Sequence, residues 1–209
     1  MKIKKTIIWD FDGVILDSNK IRDKGFEITL QDYPANEVAE LLEFHKKNGG
    51  LSRYVKFKYF IEQIRKEKSS SEQINYYATK FSKIVLEELN NPNLIIMDTM
   101  KFIRNNFKAY NMHIASGSDE NELQFLCKKL RIDTFFKSIN GSPMPKDEIV
   151  KNIIQQNSYD KKNCLLIGDS VNDKNAADKN QIKFLGYNYN DLAKEVCMIK
   201  SCEEINNLF

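Results

Sequence analysis

The chain is poor in the residues that mark special classes of protein. It has four cysteines, four prolines, eight glycines and one tryptophan in 209 residues. Cys127, Cys164, Cys197 and Cys202 form no CxxC pair, and Cys127 and Cys164 lie in apolar runs. That excludes a disulfide framework and points to reduced, buried thiols. Low glycine and proline exclude a collagen-like or low-complexity chain. No apolar run approaches the ~18 residues that span a bilayer, and the start MKIKKTIIWDFDG has no long apolar core of a signal peptide, so the expected location is the cytoplasm, away from membrane. There is also no excess of one charge. The 32 basic and 29 acidic residues give a formal charge of +3, which excludes a nucleic-acid binder recognised by charge. What remains is 42% hydrophobic and 11% aromatic residues, enough for a packed core.

Hydrophobic periodicity changes along the chain. Residues 3–9 read as a short buried strand ending at Asp10, and residues 10–18 as a loop with a tight turn at Gly13. Helical spacing then dominates to about residue 90: 19–31, a helix capped by Asn36, 53–67 and 72–89. Asn48-Gly49-Gly50 and Asn90-Asn91-Pro92-Asn93 are breaks. Beyond them a helix near 97–108 leads to strand 112–116, and a helix near 119–130 to strand 137–140. A helix after Pro145 leads to strand 163–168, and a helix near 171–179 to strand 182–187, with weak helical patterns after it. Alternation of this kind predicts an α/β fold: a Rossmann-like parallel sheet with helices on both faces, split after its first strand by an all-helical insertion. The expected boundaries are 1–17 and 92–209 for the α/β core and 18–91 for the insertion.

Polar residues gather where parallel sheets place their sites, beyond the carboxyl ends of strands. Asp10 and Asp12 follow the first strand in DFDGV, and Asp169 and Asp173 follow CLLIG in GDSVND. Neighbouring strands would crowd these carboxylates, which a hard cation with oxygen ligands, Mg²⁺, would relieve. Ser116 and Gly117 follow IA at another strand end, where backbone N–H groups and a hydroxyl can meet an anion, and Ser118 can cap the next helix. Lys146 opens a helix, a position an anion nearby would favour. His113, inside a strand, reads as a packed core residue. Tyr54, Phe57, Tyr59 and Phe60 sit at helical spacing and read as insertion core.

In this order, DFDGV, IAS, a lysine and GDSxxD, the chain resembles the haloacid dehalogenase-like superfamily over its whole length. The helical block resembles that superfamily's C1 cap, of the phosphoglycolate phosphatase and β-phosphoglucomutase type. The resemblance implies a Mg²⁺-dependent phosphatase acting on a small phosphorylated metabolite, a sugar, polyol or small organic acid phosphate, through an aspartyl-phosphate. A phosphomutase on a sugar phosphate is the alternative. Asp10 would be the nucleophile and Asp12 the general acid and base. Asp10, the Asp12 backbone carbonyl and Asp169 would hold the metal, with Asp173 behind them. Ser116, Gly117 and Lys146 would bind phosphoryl oxygens. Many members carry the lysine ahead of a proline, whereas here it follows Pro145, with Lys137 and Lys151 as alternatives. Arg53, after Gly49-Gly50-Leu51-Ser52, matches a cap residue that reaches the substrate, and Lys56 lies one turn on.

Overall fold

The computed structural model describes residues 4–188 and 197–209. These form one parallel sheet of six strands: β1 (Thr6–Trp9), β2 (Asn111–Asp119), β3 (Ser138–Ser142), β4 (Cys164–Gly168), β5 (Lys183–Tyr187) and β6 (Met198–Ile199), in the order β3-β2-β1-β4-β5-β6. Strand β1 is central. Trp9 pairs with Ile114 of β2 on one side and with Ile167 of β4 on the other. Side chains alternate across the pleat, so Ile7 and Trp9 enter one hydrophobic cluster and Ile8 the other. Both faces are therefore covered, which is why the strands read as continuous apolar runs.

Between β1 and β2 run α1 (Asn19–Thr29), α2 (Ala35–Lys47), α3 (Arg53–Tyr59), α4 (Ser71–Leu89) and α5 (Met97–Asn106). The remaining helices are α6 (Glu120–Lys129), α7 (Lys146–Gln156), α8 (Val171–Asn180) and α9 (Ile205–Leu208). Helices α1 to α4 pack on an aromatic knot, with Phe26 4.6 Å from Phe81 and 5.3 Å from Phe57, ring centre to ring centre. Helices α5 and α6 cover the sheet face that holds Trp9, and α7 and α8 cover the face that holds Ile8. No helix among the described residues is long and apolar enough to cross a membrane.

Several local expectations are revised. Helix α2 begins one residue before Asn36, with Pro34 at its cap position and no side-chain cap. The helix foreseen over 53–67 is α-helical only to Tyr59 and continues as a π-helical turn over Phe60–Ile64. Ser70, in the expected break, caps α4 by accepting from Gln73 N. Strand β6 interrupts the weak helical pattern after β5. Part of that pattern, residues 189–196, lies outside the described residues. The four cysteines are free, and all but Cys197 are buried.

Candidate active site

The sheet order reverses direction at β1 and β4, so a crevice opens beyond their carboxyl ends. Asp10 and Asp169 stand there, one residue past β1 and β4. Asp10 N donates to Ile167 O at 2.9 Å, which anchors the loop to β4. Gly13 then turns the loop back with φ +76°, and a Cβ there would sit 1.9 Å from Asp169 Oδ2. Carboxylate oxygens of Asp10, Asp169 and Asp173 lie within 4.8 Å of one another. Lys146, the first residue of α7, is buried among them, donating to Asp10 Oδ1 at 2.8 Å and to Asp173. The structure thus brings Lys146 to the site. Lys151 is at the surface with Glu148, 3.1 Å away, and Lys137 is exposed.

Three carboxylates against one ammonium leave negative charge over. Burial, then repulsion from Asp173, raises Asp10 well above the ordinary carboxylate range, although Lys146 opposes the rise. The same two causes push Asp169 up to about 7. Burial alone would lower Lys146, but Asp10 and Asp173 outweigh it and secure the ammonium. An all-oxygen, buried cluster with unbalanced negative charge fits a hard divalent cation. Asp173 has both oxygens engaged: one with Lys146, the other accepting from Ser170 N at 3.1 Å and Ser170 Oγ at 2.6 Å.

Asp12 is not one of the three clustered carboxylates. Its carboxylate accepts from Ser18 Oγ and Ser118 Oγ, each at 2.5 Å, and from Arg22 Nε at 2.9 Å. Burial pushes its pKa up, yet Arg22 and these hydrogen bonds prevail and hold it below the usual range. Ser118 therefore does not cap the following helix. Asp119 does, accepting from Glu122 N. Ser116 and Gly117 line the same cavity as Asp10 and Asp12, and Ser116 Oγ accepts from Ser118 N at 3.1 Å. Gly117 admits a close neighbour: a Cβ there would lie 2.1 Å from Gly50 O. Asn172 Nδ2 also donates to Gly50 O, at 2.9 Å, so the α2–α3 loop reaches the sheet edge.

The helical wall of the cavity contains residues that sequence reasoning did not assemble. Arg53 lines the cavity, but its guanidinium is bidentate to Glu122, with both bonds at 2.7 Å. It also donates to Ser82 Oγ and lies 4.6 Å over the Phe81 ring. Arg22 bridges Glu122, at 2.7 Å, and Asp12, while its Nη2 is buried without a hydrogen-bond partner. Burial opposes ionisation of Glu122, but Arg22 and Arg53 hold its pKa down to about 2. Lys56 Nζ is 2.6 Å from His45 Nδ1, and His45 Nε2 is 2.9 Å from Asp23. Burial lowers both Lys56, to about 7, and His45. Tyr54 Oη donates to Asp119 at 2.7 Å. His113 is packed in the sheet against Ser138 and Tyr159, with its pKa pushed down to about 4 by burial. The cavity between the two walls measures about 270 Å³, the scale of a small metabolite.

The model of one family, described as haloacid dehalogenase-like hydrolase, matches residues 7–187. No curated protein matches the sequence. Among solved structures, the fold is similar to a β-phosphoglucomutase from Clostridium difficile, with a TM-score of 0.78 and 18% identity over 98% of this chain and 96% of that one. A predicted phosphoglycolate phosphatase from Haemophilus somnus has a TM-score of 0.76 and 15% identity over 98% of this chain and 97% of the other. The protein YfnB from Bacillus subtilis, solved bound to magnesium, has a TM-score of 0.72 and 16% identity over 99% of each chain.

Proposed function

The chain belongs to the haloacid dehalogenase-like hydrolases and is an enzyme of that family, and from this premise we propose that it hydrolyses the phosphate ester of a small metabolite through an aspartyl-phosphate on Asp10. The observation that carries this reading is the division of labour between two aspartates in one cavity. Asp10 lies beside Lys146 and Asp169, while Asp12 is kept out of their cluster by Arg22, Ser18 and Ser118. In the first step an Asp10 oxygen bonds to phosphorus, the ester P–O bond breaks, and the leaving alkoxide takes a proton from Asp12. In the second, water gives a proton to Asp12 and bonds to phosphorus, releasing inorganic phosphate and the Asp10 carboxylate. The Arg22 pair favours the ionised Asp12 that the second step needs. A bound phosphate dianion raises its affinity for the proton that the first step needs.

Ser116, the backbone at Gly117 and Lys146 hold the phosphoryl oxygens; the transition state is loose, so positioning and charge do most of the work. Mg²⁺ would be held by Asp10, Asp169 and the Asp12 backbone carbonyl, and would offset the repulsion between a carboxylate nucleophile and a phosphate dianion. Asp173 orients Lys146 and Ser170 from behind. Residues 18–91 serve as a cap on a core made of 1–17 and 92–209, and Arg53 belongs to the cap wall that meets the leaving group. The test is a panel of phosphorylated metabolites assayed with Mg²⁺ and with EDTA. Phosphate release that EDTA abolishes is expected. Undiminished release after exhaustive chelation would overturn the metal requirement, and isomerisation of a sugar phosphate without net phosphate release would make the enzyme a mutase.

A further inference from the structure

The helical wall of the cavity is rich in cations, and the three buried ones face carboxylates. Arg22, Arg53 and Lys56 face Asp12, Glu122 and Asp23 across direct contacts or one intervening His45. Lys56 reaches Asp23 only through His45, which lies 2.6 Å from its Nζ on one side and 2.9 Å from Asp23 on the other. Lys46 and Lys47 also line the cavity, but both are exposed, where water and salt screen them. A site for a second phosphate or a carboxylate needs unmatched cationic donors. This wall offers donors that meet no carboxylate directly: Arg22 Nη2, buried and unpartnered, and Lys56 Nζ against the His45 ring. Such donors suit hydroxyl and ether oxygens.

We propose that Glu122 is a positioning residue that sets specificity: by holding the Arg53 and Arg22 guanidiniums in ion pairs behind the wall, it reserves this wall for an uncharged, hydroxyl-bearing leaving group and disfavours one that carries a second anion. Glu122 does not line the cavity and acts only through the two arginines. The inference rests on the phosphatase reading for which group reacts, and extends it to what the rest of the substrate is.

The experiment compares matched esters that differ by one carboxylate: glycerol 3-phosphate against 3-phosphoglycerate, and glucose 6-phosphate against 6-phosphogluconate. In the wild type, kcat/KM for phosphate release should favour the uncharged member of each pair by at least about tenfold. Glu122→Gln should lower that preference severalfold, and Glu122→Asp should restore part of it. Damage to Asp12 through Arg22 cancels in the ratio, because both members of a pair need Asp12 equally. A wild type that prefers the carboxylate member, or a Gln variant that folds with an unchanged ratio, overturns the proposal. If Glu122→Gln does not fold, the wild-type ratio decides alone. If the wild type releases phosphate from no ester, the hydrolytic reading has failed, and calorimetric binding of the same pairs to the wild type with Mg²⁺ decides the inference separately. Tighter binding of the carboxylate member, or no binding of either, overturns it.

Discussion

On the sheet side of the cavity, Asp10, Asp169 and Asp173 surround Lys146 with negative charge left over. On the helical side, Arg22, Arg53 and Glu122 close a network in which every charge meets its opposite. The first wall stores repulsion that a cation and a reacting phosphate can relieve. In the second, Arg22, Arg53 and Glu122 are already paired, and only Arg22 Nη2 of that network is left without a partner. Unbalanced charge suits chemistry, and balanced charge suits recognition and stability.

The sharpest way to break this contrast is to neutralise the sheet side. Asp10→Asn keeps size and removes the nucleophile, so turnover should fall by ~10⁴-fold or more. Relief of repulsion should at the same time preserve or raise the melting temperature. A Tm that drops sharply would mean that the cluster is a structural element instead. Next comes Asp12→Asn, which should cost ~10²–10⁴-fold in kcat, the usual range for a positioned proton donor. A loss confined to KM would demote Asp12 to a binding group.

The order of effects should invert on the helical side, with stability suffering more than chemistry. Arg53→Ala leaves Glu122 with one partner and should destabilise the fold by about 3 kcal/mol in denaturant unfolding. Its kcat/KM on the best metabolite should fall further than on p-nitrophenyl phosphate, which lacks a remote group to bind. Equal losses on both esters would make Arg53 a partner of Glu122 and nothing more. The smallest effect expected is on acid sensitivity. Glu122 is held at about 2 against an ordinary 4.5, so its pairs contribute fully above about 4.5, and that contribution is lost as pH falls from about 4.5 towards about 2. Urea midpoints across that window should fall more steeply for the wild type than for Glu122→Gln.

The same contrast explains what the amino-acid order discloses. Asp10, Asp12 and Asp169 are legible because each follows an apolar strand, and Ser116 because it follows the apolar run within β2; a parallel sheet gathers strand ends by its geometry alone. Lys146 is legible from its helix start, although only the fold separates it from Lys137 and Lys151. The Arg22–Glu122–Arg53 network is not legible. Glu122 lies 100 residues from Arg22 and 69 from Arg53, on helices where charged residues are usually solvated. Locally Glu122 is only a residue near a helix start, where its backbone N–H donates to Asp119 Oδ1. Strand β6 is hidden for a different reason: two residues carry no period. The π-turn after Tyr59 leaves an apolar pattern that a plain helix also gives.

The meeting of Gly117 with Gly50 has a mechanical consequence. One glycine lies within strand β2, near its carboxyl end, and the other in a loop carried by two helices; Asn172 also holds the Gly50 carbonyl. One methyl group at position 117 would overlap the Gly50 carbonyl, so a substitution there must push the loop and the strand apart.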